Sequence, residues 1–327
     1  MHNVPHIPAL RGAGRLNAAL AVALAALLSG APAVAAPPQK AAAAPAQAAP
    51  QRMHFAAPEA AVNALLDAMR KDDVAALQRI LGPGSVNIVN SGDAAADDEA
   101  RNKFVAAFDE RHAIDVADGR ATLVVGRSDW PMPVPLVKRT QGWTFDARAG
   151  ATEIVARRIG RNELDAIQVC LAFVDMEREY AEADHDGNGL LEYTPRLLSR
   201  PGRHDGLYWP TQPGEPPSPA GPRLAAASPQ ALAAHEPGAP YHGYYFRVLS
   251  GQGPHAPGGA RSWRIDGKLI GGVALVAWPA RYRVSGVKTF QCAMDGIVHE
   301  RDLGPDTAAK VERIEVFDPG PGWSPVK

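Results

Sequence analysis

The chain is 327 residues long, with 34 basic and 35 acidic residues and a formal net charge of −1. That balance excludes a surface built to attract nucleic acid or anionic lipid. Apolar residues make up 46%, enough for real cores, and two cysteines leave room for one disulfide but not for a disulfide framework.

Arg11 and Arg15 precede a short apolar run from Ala18 to Leu28, and Ala33-Val34-Ala35 follows as a small-x-small site. Together these read as a secretory signal peptide over residues 1–35. The run is far shorter than the roughly 20 residues that span a bilayer. The expected product is a periplasmic or secreted protein, a monomer without a membrane span. Residues 36–54 are rich in Ala, Pro and Gln and read as a tether. About 290 residues remain for folding, a length that suggests two domains.

From Phe55 the pattern becomes helical. Pro58 suits a first helical position, and Val62, Leu65, Leu66 and Met69 form one apolar stripe. Asp72 or Asp73 caps a second helix carrying Val74, Leu77, Ile80 and Leu81, which Gly82-Pro83-Gly84 ends. A third helix is expected near Asp97 to Arg111, with Ala100, Phe104, Val105 and Phe108 inward. Strands follow at Arg120 to Gly126, Val134 to Lys138 and Trp143 to Asp146. Helices first and strands afterwards predict an α+β domain over 55–150. Its pattern resembles the cystatin-like cone of the nuclear-transport-factor superfamily, which implies helices over a curved antiparallel sheet and, in many members, a pocket between them.

A second α+β domain is expected over 151–318, with 319–327 as tail. A long helix from about Ala151 to Ala183 is predicted, with a break at Gly160, Asn162 as a cap, and a seam of Leu164, Ile167, Leu171 and Val174. Residues 195–240 form a Pro-rich insertion. Strands are predicted at Tyr244 to Leu249, Ser262 to Ile265 and Gly272 to Pro279, and a hairpin around Asp295-Gly296.

The sharpest chemical signal is "EADHDGNGLLEY", Glu182 to Tyr193. Asp184, Asp186 and Asn188 alternate as in a calcium loop, Gly189 sits at the turn, the Leu190 carbonyl could supply the next ligand, and Glu192 could close the shell. Position twelve is Pro195 rather than a bidentate glutamate. The other reading is a turn after a helix, in which Gly187 or Gly189 takes positive φ and the polar side chains bond their own backbone. An acid-phosphatase-like Asp-x-Asp site needs a strand before it, and here a helix precedes. Cys170, beside the seam, and Cys292, on a strand, form the one disulfide the composition allows, or else two buried thiols. No metalloprotease, serine-hydrolase or dinucleotide constellation is present. Trp130 and Trp143 read as core or rim, and His242 and His299 as structural.

"RIGRNELDAIQVC", "GLYWP", "GEPPSP", "PYHGYYFRVL", "GGVALVAWPA" and "DGIVHERDLGPDT" resemble the exported bacterial family called domain of unknown function 2950, from Phe55 to about Phe317. The resemblance implies export and a neighbouring exported protein as partner, and it carries no activity. The second half also resembles type IV pilin and type II secretion pseudopilin heads, some of which bind calcium. Arg157, Arg158, Arg161 and Glu163 at the start of the helix exclude the apolar membrane half of a pilin. The expected function is therefore a non-enzymatic envelope interaction module. The alternative is a periplasmic ligand binder or enzyme using the N-terminal cone.

Overall fold

In the computed structural model of the chain, Pro58 opens α1 (Pro58–Arg70), which buries Ala61, Val62, Leu65 and Leu66 along one face. The structure describes residues 52–211, 214–221 and 239–326. The expected leader, most of the tether and the middle of the Pro-rich stretch lie outside these residues. The described residues fall within one compact unit, Ala48–Lys327.

The Asp73 carboxylate accepts from Ala76 N at 2.8 Å and caps α2 (Val74–Leu81). Gly82, at φ +80°, ends it. After α3 (Val86–Val89), Asp93 accepts from Ala96 N at 3.1 Å and starts α4 (Ala94–Glu110). This cap sets the helix three residues earlier than the apolar pattern suggests. It also leaves Ala100 exposed, while Phe108 is buried. The strands are β1 (His112–Ala117), β2 (Arg120–Val125), β3 (Trp130–Pro131), β4 (Leu136–Arg139) and β5 (Gly142–Phe145). The β1–β2 hairpin turns at Asp118-Gly119, both at positive φ, which matches the twist of a two-residue hairpin. All pairings are antiparallel, in the order β1-β2-β4-β5, with β3 on β2. Leu65, Leu66, Leu77, Leu123, Leu136 and Phe145 fill the space between the helices and this sheet.

Asp146 caps α5 (Ala147–Tyr180) by accepting from Ala149 N at 3.1 Å. The helix runs unbroken through Gly160. Asn162 is not a cap, because its amide donates to Ser285 O at 2.8 Å. The expected seam is rotated as well. Leu164 is 62% exposed and Leu171 40%, whereas Val174 is buried as expected, Ile167 packs against the core, and Ala166, Cys170, Phe173, Glu177 and Tyr180 make up the rest of the buried face. Small residues at 166 and 170 let the helix come down close on a sheet, and the leucines are left at its flank.

That second sheet is antiparallel in the order β14-β13-β12-β11-β6. Its strands are β6 (Tyr244–Leu249), β11 (Ala274–Pro279), β12 (Lys288–Ala293), β13 (Val298–Asp302) and β14 (Ser324–Pro325). Two small hairpins, β7–β8 (Gly251–Gln252, Arg261–Ser262) and β9–β10 (Arg264–Ile265, Lys268–Leu269), lie between β6 and β11. α5 lies across β11, β12 and β13. The short helix α6 (Thr307–Glu312) packs against β11, and the Arg247 guanidinium on β6 donates to Val311 O and Ile314 O at the helix end. Ala274 to Ala277 consequently show no exposed surface. The α+β class is as expected. No helix among the described residues is long and apolar enough to cross a membrane.

Candidate functional site

The last turns of α5 place Glu177 and Tyr180 on its buried face, and the chain then enters the 184–192 loop. Asp184 organises that loop. Its carboxylate accepts from Gly187 N and Gly189 N at 2.8 Å each, from Asn188 N at 3.2 Å and from Asp186 N at 3.3 Å. The Gly189 amide foremost, and the other amides with it, hold the Asp184 carboxyl below its usual range. Gly187 and Gly189 take φ +73° and +81°, a region a side chain would disfavour. Asn188 accepts from Leu190 N at 2.8 Å and donates to Glu192 Oε1 at 3.0 Å.

Of the residues expected to ligate calcium, Asp186 and Glu192 are brought together around a cation that the protein itself supplies, while Asp184 is held by the loop's own amides. Lys268 Nζ, on β10, donates to Asp186 Oδ2 at 2.6 Å and to Glu192 Oε1 at 2.9 Å. The bond to Asp186, then that to Glu192, raises the Lys268 ammonium above its usual range, and Asp186 is lowered in return. Leu190 contributes a backbone donor, and its side chain is exposed. A calcium ion here would have to displace Lys268 and draw Asp184 off its amides. Among the described residues no group of three or more His, Cys, Asp or Glu side chains is placed to hold a metal ion.

The loop, the segment after it and the β9–β10 hairpin enclose an open cleft of about 380 Å³. Most of its charges are paired. Besides the Lys268 pairs, Asp205 takes the Arg200 guanidinium at 2.5 Å and Arg196 at 3.6 Å. Rings line one side. Tyr180 stacks on His185 with centroids 4.1 Å apart, and His204 stacks on Trp209 at 4.4 Å. The Tyr180 hydroxyl donates to His204 O at 2.9 Å.

Behind the cleft wall is Glu177, with no exposed surface. Its Oε2 accepts from Thr194 N at 3.0 Å, and Thr194 lines the cleft. Its Oε1 has no partner among the described residues. Burial pushes the Glu177 carboxyl up to about 8, against the smaller lowering by the Thr194 amide. The group is thus neutral at pH 7, as an incompletely bonded buried acid must be.

Sequence reasoning missed Glu177 and Lys268. Glu177 had a signal, since 166, 170, 173, 177 and 180 share one helix face. Lys268 had none, because 76 residues separate it from Glu192. The other expectations fall as follows. Cys170 and Cys292 are both buried, and they are not bonded to each other in this structure. Trp143 is buried in the N-terminal core, and Trp130 stands at its rim with the Arg157 guanidinium 5.3 Å from the ring centroid. His242 bonds Asp165 through Nδ1 at 2.5 Å, and His299 lies edge-on to Phe317.

Residues 52–326 match the family described as "Protein of unknown function (DUF2950)". No curated protein and no solved structure matches the chain.

Proposed function

The chain belongs to the DUF2950 family, whose description assigns no activity, and we propose from its own residues that it is an exported envelope module that binds another exported protein and catalyses no reaction. Export rests on Arg11, Arg15, the Ala18 to Leu28 run and Ala33-Val34-Ala35. The observation that carries the binding role is the rim of the cleft. Leu190, Leu191, Ile265 and Ile270 are all exposed there, Leu191 at 58% and Ile265 at 56%. They stand on two segments that enclose a cleft in which Lys268, Arg196 and Arg200 are each already paired with a carboxylate. Exposed aliphatic side chains on the segments that flank a polar cleft are the composition of an interaction surface. Paired charges of this kind are suited to recognition.

The architecture supports two finer likenesses. Helices α1 to α4 over the first sheet suit a cystatin-like cone. α5 across a five-stranded antiparallel sheet suits a pilin-like head whose helix starts too polar for a membrane. One observation favours a second reading, a small-ligand binder. Glu177 Oε1 is a buried polar atom beside the cleft without a partner among the described residues, which moves that reading from the cone to the second half. The cone's interior is filled with leucine and phenylalanine.

A photo-crosslinking residue tests the binding role. Leu191→p-benzoylphenylalanine should yield one discrete adduct in envelope fractions, and the adduct should vanish when Ile265→Asp is added. The same substitution at exposed Val116, on β1, should yield none. Equal labelling at 116 and 191, or none at 191, overturns the assignment.

A further inference from the structure

The only two cysteines of the chain lie 122 positions apart and meet in the second core. Cys170 lies on the sheet-facing side of α5, between Ala166 and Phe173 in the buried series. Cys292 lies on β12 opposite Leu275 of β11. Both are without exposed surface. The Cys292 thiol donates to Cys170 O at 3.5 Å, so the two residues are in contact. Neither thiol has a role in the cleft, and a single pair that needed only to fill space could sit anywhere in the core.

We propose that Cys170 and Cys292 are joined by a disulfide formed while the exported chain folds, tying α5 to β12. Two S–H bonds break and one S–S bond forms. The two electrons and two protons pass to the disulfide of a thiol–disulfide oxidoreductase, which leaves as a dithiol after a mixed-disulfide intermediate. The proposal rests on the export reading for its oxidant, and on the geometry alone for its pairing.

The same burial sets the order of events. A thiol with no exposed surface cannot be reached by a protein oxidant. Burial also pushes the Cys292 thiol well above its usual range, so the reactive thiolate is scarce. The bond must form before α5 closes on the sheet, and a chain that folds reduced stays reduced. Once formed, the tie holds the helix face that carries Glu177 two turns further on, and so fixes that face behind the cleft.

The test uses the full mature chain, denatured and reduced, then refolded with or without a glutathione redox buffer. Oxidative refolding should remove the mass of two hydrogens and give a linked Cys170–Cys292 peptide. It should raise Tm by about 10 °C over the reduced form, as expected for closing so long a loop in a chain of this size. The folded reduced protein placed in the same buffer should keep both thiols for much longer. Cys292→Ala should melt at one temperature in both buffers. Two alkylatable thiols after oxidative refolding would overturn the proposal, as would a redox-dependent Tm in Cys292→Ala. A linked peptide after refolding but free thiols in cellular protein that has lost its leader would overturn the proposal, whereas free thiols in cellular protein that keeps Met1 would leave the pairing standing and sink the export reading instead.

Discussion

Two residues carry most of the physical chemistry of the cleft, and both can be isolated by substitution. Glu177 has a folded pKa of about 8 against 4.5 for a free glutamate. Below pH 4.5 both folded and unfolded chains hold the proton, and the group leaves stability unchanged. Between pH 4.5 and 8 the unfolded chain has lost it and the folded chain has not, so stability falls as pH rises, then levels off above 8. The full loss is on the order of 5 kcal/mol. Glu177→Gln cannot ionise and should lack this slope, so urea midpoints for the variant and the natural chain should converge at pH 5 and separate at pH 8. Parallel curves across that range would show that Glu177 is solvated and ordinary. Lys268 offers the complementary case. Asp186 and Glu192 already bind its ammonium, so millimolar calcium should leave the Tm of the natural chain where chelator puts it. Lys268→Gln removes the internal cation and leaves neighbouring carboxylates to repel. It should melt lower in chelator and recover with calcium. A calcium-dependent rise in the natural chain would show instead that the ion displaces the lysine.

At the scale of elements, α5 is where local pattern and tertiary packing disagree. Gly160 reads as a break, because glycine in a helix interior costs about 1 kcal/mol relative to alanine. The helix runs through it because tertiary contacts hold both sides: Gly150 lies against Val134, and Asn162 bonds Ser285. Nothing lies within 4 Å of a side chain added at Gly160, and its φ is ordinary. Gly160→Ala should therefore stabilise the protein by about 0.5–1 kcal/mol in urea unfolding. Gly150→Ala should do the reverse, by about 1–3 kcal/mol, because its methyl would sit 2.5 Å from Val134 Cγ2. A loss at Gly160 would place the helix break back where the sequence pattern put it. Caps and turns, by contrast, were legible. Asp73 caps α2, and Asp118-Gly119 and Asp295-Gly296 turn hairpins, because those signals act within four residues.

For the whole molecule, one helix serves two cores. The start of α5 meets the first half, through Gly150 against Val134 and Arg157 on Pro131 O, and its remainder lies on the second sheet. The leader makes a prediction at this scale: protein recovered from the periplasm should begin at or near Ala36, read by N-terminal mass spectrometry, and an intact Met1 there would overturn export. Composition and short-range pattern were enough to determine the α+β class, most element positions and the polar turn after the long helix. These follow from periodicity, caps and turn residues, whose energies depend on neighbours in the chain. Only the tertiary structure decided which face of α5 is buried, that Lys268 stands among the loop carboxylates, that Glu177 lies beneath the cleft, and that Cys170 meets Cys292. Each of those depends on segments brought together from 17 to 122 positions apart. Pairing over such separations is set by how sheet and helix pack, and no local signal encodes it.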